Sequence, residues 1–187
     1  MDIAVRGSLI HRVFGLGSGV SVDRYGRFQI NVVGLGLTSY EWDLRMKMNG
    51  YRFNPVNVRD TLCHPDYNDK HRLEAGKRYT ISLILGKEMS VERTTDNIMA
   101  RGVIDYGRTL ALRGELALLI REAVSDEVMA RMGIRYIAVL HDPMSDVEGH
   151  RRVLAADSRG RGRSLHAYAA GKSSRWDDRG AFGYPVL

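Results

Sequence analysis

Tyr40-Glu41-Trp42-Asp43-Leu44-Arg45-Met46-Lys47-Met48-Asn49-Gly50-Tyr51-Arg52-Phe53-Asn54-Pro55 is the stretch from which the fold is read. Tyr40, Trp42, Leu44, Met46 and Met48 are apolar, and Glu41, Asp43, Arg45 and Lys47 between them are charged. Strand side chains alternate between faces, so this pattern predicts a strand with one buried and one wet face. Asn49-Gly50 suits the positive φ angles of a two-residue type I′ turn. The chain is then expected to return antiparallel, with Met48 facing Tyr51, Met46 facing Phe53, and Lys47 facing Arg52 on the wet side. Pro55 has no N–H to give a ladder, which puts the return strand at an edge or ends it there.

Outward from this hairpin, the N-terminal half reads as mostly β. Ile3–Phe14 is apolar enough for one or two strands, and Gly15-Leu16-Gly17-Ser18-Gly19 is a connector. No Gly-Lys-Ser/Thr follows that connector, so it is not a phosphate-binding P-loop. Asp23-Arg24-Tyr25-Gly26 predicts a turn, Arg27–Leu37 a strand, and Arg78–Leu85 a further strand with Tyr79, Ile81, Leu83 and Leu85 on one side. Five or six strands at this spacing are expected in a sandwich-like or barrel-like antiparallel sheet.

The character changes after Lys87. Ser90–Arg101 predicts a short helix capped by Thr94 or Thr95, and Arg108–Glu122 a longer one with Leu112, Leu116, Leu119 and Ala123 on its apolar face. Ser125 is placed to cap a third helix that runs to Met132 and stops at Gly133. Ile134–Leu140 reads as a strand. Arg152–Ala156, Ser164–Ala169 and Ala181–Val186 predict a C-terminal antiparallel meander. The expected fold class is therefore α+β: a β-rich part over 1–88, and helices followed by a basic meander over 89–187, the two parts being separate or one compact domain.

No apolar run approaches the roughly 20 residues of a membrane span, and Met1–Arg6 lacks the pattern of a signal peptide. Cys63 is the sole cysteine, so no intrachain disulfide forms, which agrees with a reducing, cytoplasmic setting or the inside of an assembled particle. No cofactor is expected, and no membrane partner.

The formal charge is +6, and 23 of the 28 cations are arginine. Codon bias would produce that excess, and so would planar, bidentate recognition of phosphate or carboxylate. Position says more than number. From Gly149 to Leu187 eight cations stand against three anions, so a net +5 lies in the last fifth of the chain. The candidate nucleic-acid-binding set is Arg151, Arg152, Arg159, Arg161, Arg163, Tyr168, Arg175 and Trp176. The arginines of the Ser158–Arg163 turn would neutralise phosphates, and the two aromatics would stack on bases. The same cations would also serve a solvated hairpin tip.

A second reading is catalytic. Ser164, His166 and Tyr168 share one strand face, with His150, Arg161 and Arg163 expected nearby. His166 or Tyr168 moving protons, with Arg163 stabilising a charged phosphorane, is the plan of small metal-independent ribonucleases. His141-Asp142 offers a further base and orienter. A metal reading rests on His64, Asp66 and His71, which are ligand types without an established metal spacing. The third reading is assembly: a structural subunit of a larger particle such as a phage virion, or a homo-oligomer. Its apolar end, Ala181–Leu187, would be buried in its own sheet or in a partner. The expectation taken forward is a non-enzymatic binding or assembly protein whose C-terminal basic surface meets nucleic acid or a nucleoprotein complex.

Overall fold

The computed structural model describes residues 19–53, 57–107, 112–158 and 163–186. The strands predicted over Ile3–Phe14 lie outside these residues. The described strands are β1 (Val20–Val22), β2 (Phe28–Val33), β3 (Arg52–Phe53), β4 (Arg78–Leu85), β5 (Tyr136–Ala138), β6 (Met144–Ser145), β7 (Arg151–Asp157), β8 (Ser164–Ala169) and β9 (Gly180–Val186). The helices are α1 (Ser39–Met48), α2 (Asn57–Leu62), α3 (Thr95–Tyr106), α4 (Glu115–Ala123) and α5 (Asp126–Met132). The chain is α+β, as its sequence pattern predicts.

The strands make one sheet in the order β1-β2-β4-β9-β5-β7-β8-β3, with β6 paired to β7 off this path. β9 is inserted between β4 and β5, antiparallel to the first over six residue pairs and parallel to the second over three. The apolar C-terminal segment is thus buried in the protein's own sheet, in its middle, because Ala181, Phe182 and Tyr184 have core on both sides. One face of the sheet carries Ile30, Ile81, Leu83, Ile137, Leu154 and Leu165 and packs beneath residues of α1, α2, α4 and α5. The other face carries Ile84, Tyr136, Val153, Phe182 and Tyr184 and packs against Ile98 of α3, Met89 and Trp176. Because both faces of the central strands are covered, strands such as β9 are buried almost throughout.

The predicted hairpin is corrected. Tyr40–Met48 is not a strand but lies within helix α1. Thr38 caps it: its hydroxyl accepts from the Glu41 N–H, and the Glu41 carboxylate accepts from the Thr38 N–H at 2.8 Å. That reciprocal capping box satisfies two N–H groups that a helix start leaves without partners. Glu41 lies in the first turn, Arg45 and Lys47 in the last, each favourable to the helix dipole. Asn49-Gly50 ends the helix instead of turning a hairpin. Gly50 has φ +68°, its N–H donates to Lys47 O, and the Tyr51 N–H donates to Met46 O. This is the Schellman arrangement, with glycine in the left-handed position after the cap. Arg52–Phe53 does form a strand, but it pairs parallel with β8, not with residues 40–48.

Several local signals hold. Thr94 caps α3, Ser125 caps α5, and Gly133 ends α5 at φ +72°. The helix predicted over Arg108–Glu122 is shorter, beginning at Glu115 and running to Ala123, with residues 108–111 outside the described set. The segment between β3 and β4 contains α2 and a π-helical turn over Tyr67–His71.

α4 is buried from Glu115 to Arg121, so its charged ends need internal partners. The Glu115 carboxylate accepts from the N–H groups of Leu35 at 3.2 Å, Gly36 at 2.8 Å and Leu73 at 2.5 Å. It thereby ties the segment before α1 and the segment before β4 to the start of α4. Burial raises its pKa, opposed by those same N–H donors. Arg121 donates to Val124 O and to Asp126.

Candidate nucleic-acid interface

The end of the sheet where β7 leaves and β8, β5 and β9 begin gathers arginines that are distant in sequence. Arg135 immediately precedes β5, and Arg179 immediately precedes β9. The Arg135 N–H donates to Arg179 O at 2.7 Å, and the Ser158 N–H donates to Arg135 O at 2.8 Å. These three backbones are therefore side by side. Arg135, Arg179 and Arg163 are all exposed. Among the described residues, no carboxylate lies within ion-pair distance of the Arg135 or Arg179 guanidinium. The nearby Asp177 carboxylate instead accepts from the Arg179 backbone N–H at 2.9 Å. Ser158 and Arg163 lie at this same end, whereas Arg159 and Arg161 lie outside the described residues.

The other members of the expected set are spread. Arg151 and Arg152 begin β7, about 20 Å along the strand from its Asp157 end. Arg151 is exposed, and Arg152 donates to Asp146 at 2.9 Å. Arg175 is exposed and pairs with Glu92 at 2.8 Å. Trp176 is only 7% exposed, with its ring among Tyr136, Tyr168 and Phe182 and its Nε1–H donating to Thr95 Oγ1. It is a core side chain here, with no open ring face for a base. Tyr168 is half-buried at the edge of that cluster, and its hydroxyl donates to Asp157 Oδ2 at 2.8 Å.

His166 and Tyr168 are brought together, with ring centroids 4.5 Å apart, and Ser164 shares their face. Arg163 is not in that group. Its Nη1 lies 3.5 Å from the Tyr51 hydroxyl, and Tyr51 belongs to the core on the opposite face of the sheet. His150 stands at the far end of β7, beside Asp146 and Glu148. His141 is buried and both ring nitrogens meet backbone: Nδ1 the Asp142 carbonyl at 2.7 Å, Nε2 the Leu154 N–H at 3.0 Å. It orders the end of β5, and the Asp142 carboxylate does not orient it.

The three metal candidates do not converge. His64 Nδ1 lies 4.0 Å from Asp66, but His71 is buried and its Nδ1 accepts from the Gly114 N–H at 3.2 Å. Its ring meets His141 edge to face at 4.7 Å. Among the described residues, Asp146, Glu148 and His150 have donor atoms within 4.8 Å of one another. Asp146 is already committed, accepting from the N–H groups of Glu148 and His150 and from Arg152. These contacts hold the β6–β7 turn.

Arg135 was missed by sequence reasoning because it stands alone between Ile134 and Tyr136. No local pattern marks it, and only the adjacency of β5 to β9 and β7 makes it part of a group. No helix among the described residues is long and apolar enough to cross a membrane. No protein-family model, curated protein or solved structure matches the chain.

Proposed function

We propose that this is a non-enzymatic binding or assembly protein that meets nucleic acid, free or within a nucleoprotein particle such as a phage virion, through the basic end of its sheet. The observation that carries this reading is the meeting of Arg135, Arg179, Ser158 and Arg163 at one edge, with the first two arginines exposed and free of described carboxylates. Arginines carried on adjacent strand starts suit successive phosphates, which guanidinium groups bind as planar bidentate donors. The contacts are electrostatic, so the reading favours backbone recognition over base recognition. Tyr168 is the one aromatic of the expected pair that remains at the surface beside this edge.

The test is fluorescence anisotropy with labelled single-stranded RNA, single-stranded DNA and duplex DNA over a range of salt. The double variant Arg135→Ala/Arg179→Ala and the triple variant Arg159→Ala/Arg161→Ala/Arg163→Ala are compared with the wild type. Each phosphate contact removed lowers the slope of log K against log salt by about 0.7 on single strands and about 0.9 on duplex. The double variant is expected to lose about 1.4 from the single-strand slope. Absence of binding at low salt, or an unchanged slope in both variants, rejects the reading and leaves a purely structural subunit.

The juxtaposition of His166 and Tyr168 favours a second reading, a metal-independent ribonuclease. It predicts RNA cleavage that His166→Ala abolishes, while a charge-driven binder keeps its affinity in that variant. The position of Arg163 beside Tyr51 weighs against it, because the cation meant for the phosphorane is turned to the other face.

A further inference from the structure

Residues 63–71 run over the surface between α2 and the segment that leads into β4. Of these residues only Tyr67 and His71 are buried. They mark the two ends of the π-helical turn Tyr67–His71, a geometry that recurs at functional sites. Tyr67 stacks on His71 with ring centroids 6.5 Å apart, yet its buried hydroxyl has no hydrogen-bond partner among the described residues. That makes its burial costly. At the surface, Asn68 Oδ1 accepts from the Ser39 N–H at 2.9 Å. The next two residues are clamped more firmly. The Arg72 carbonyl accepts from the Arg113 guanidinium at 2.7 Å, the Arg72 Nε–H donates to Gly36 O at 2.8 Å, and the Leu73 N–H donates to the Glu115 carboxylate. At the other end the Cys63 N–H donates to Arg59 O of α2 at 2.8 Å. Residues 63–71 thus make a thin cover between two fixed ends.

His71 is 2% exposed, and its Nδ1 accepts from the Gly114 N–H just before α4. Its ring also meets that of His141. An Nδ1 that accepts carries no proton. Protonation would turn it into a donor facing a donor and bury a charge beside a neutral imidazole. Burial accordingly lowers the His71 pKa from 6.5; Asp142 and Asp66 raise it in smaller measure, and Arg113 and Lys70 lower it further. Lifting the cover returns His71 to water and to its ordinary pKa, so the open form binds the proton more readily. The stability of the closed form is therefore complete above pH 6.5 and is lost as pH falls. Glu115, beside Gly114, has the opposite sign, because burial raises its pKa. Its carboxylate holds Leu35, Gly36 and Leu73, all outside residues 63–71.

We infer that residues 63–71 form an acid-released lid, pinned by His71 against Gly114 and His141 and hinged at Arg72 and Leu73, which opens on mild acidification while the sheet stays folded. Opening withdraws Tyr67 from the core and bares His141 and the start of α4. His141 stays in place, since both its ring nitrogens are bound to backbone after β5 and in β7. This inference is independent of nucleic-acid binding.

The experiment is amide hydrogen exchange followed by mass spectrometry on the full chain between pH 7.5 and 5, corrected for the pH dependence of free amides. Wild type is compared with His71→Asn, whose Oδ1 replaces Nδ1 as acceptor and does not titrate. In the wild type the opening of residues 63–71 is expected to rise about tenfold over this range. One histidine with an ordinary pKa of 6.5 sets a limit of about 30-fold. The amides of β9 are expected to stay protected throughout. In His71→Asn the opening is expected to be flat with pH, and its slope is readable even where the lid is looser at pH 7.5. Histidine-ring NMR on the wild type needs no variant: with the lid closed, His71 is expected to stay neutral below pH 6.5 with its proton on Nε2. Opening that does not change with pH overturns the inference, and so does an equal slope in His71→Asn. Amides of β9 that open together with the lid overturn it as well, by reporting global unfolding. So does a His71 that charges near pH 6.5 while the lid amides remain protected.

Discussion

Gly102→Ala reverses an ordinary rule, and the structure supplies the magnitude. Gly102 lies in the interior of α3, where replacing glycine by alanine normally stabilises by about 1 kcal/mol. A Cβ at this position would stand 2.2, 2.5 and 2.7 Å from Cε1, Cζ and Cδ1 of Tyr184. Carbon atoms pack at about 3.5–4.0 Å, so helix or ring has to move by more than about 1 Å. The ring is held. Tyr184 is buried in β9, its hydroxyl donates to Ile98 O at 2.7 Å, and its ring lies 5.8 Å from that of Tyr106. Overpacking costs about 1–3 kcal/mol, and losing the hydroxyl's hydrogen bond about 1 kcal/mol more. Against the propensity gain, the variant is expected to be less stable by about 2 kcal/mol, a fall in Tm of about 4–8 °C for a chain of this size. Urea unfolding followed by far-UV circular dichroism measures it. The same substitution in a Tyr184→Ala background removes the obstacle, so there it is expected to be neutral or stabilising. A Gly102→Ala protein at least as stable as wild type, or an equal cost in both backgrounds, refutes the packing argument.

Glu115→Ala leaves three backbone N–H groups without their acceptor. At about 1–3 kcal/mol each it is expected to cost roughly 4 kcal/mol, with Glu115→Gln intermediate because its amide N–H₂ would face a donor; denaturant midpoints that fail to rank in this order contradict the role given to the carboxylate. Thr38→Ala removes the capping box of α1 and is expected to cost about 1 kcal/mol, read from the same unfolding curves. For His141, burial first, then the neighbouring His71, depresses the pKa from 6.5 to about 3. The unfolded chain thus binds the proton more readily, so the stability from the neutral imidazole is complete above pH 6.5 and is lost as pH falls toward 3. Between pH 6.5 and 5 the loss is about 2 kcal/mol. In His141→Gln that part of the pH dependence is expected to vanish, and an unchanged acid slope would show that His141 is not held neutral.

The misread stretch was legible in part. Apolar residues at every second position satisfy a strand, yet on a helix they also make two opposite stripes, and alternation alone does not separate the two. Thr38 and Glu41 had the spacing of a capping box, and Leu44, Arg45, Met46 and Lys47 are good helix formers. Asn49-Gly50 is ambiguous in the same way, since a left-handed glycine serves both a type I′ turn and a helix stop. The candidate site was legible to a similar degree. The excess of arginine after Gly149 and the shared face of His166 and Tyr168 are properties of order along the chain. The burial of Trp176 is not, because it depends on which strands bring Tyr136 and Phe182 beside it.

Left to itself, the sequence determined what acts over a few residues. The caps at Thr94 and Ser125 and the stop at Gly133 follow from side-chain hydrogen bonds and backbone freedom that need no distant partner, and the apolar residues of Arg78–Leu85 and Ser164–Ala169 mark those segments as strands before their partners are known. Tertiary structure alone decided that the last strand lies in the centre of the sheet, between β4 and β5. It also decided that Glu115 closes two segments some 40 and 80 residues away in the chain, and that Arg135 joins Arg179 and Ser158. Those outcomes rest on non-local pairing, in which a residue's neighbours are set by strand order and the burial of whole faces, and no window of sequence contains that information.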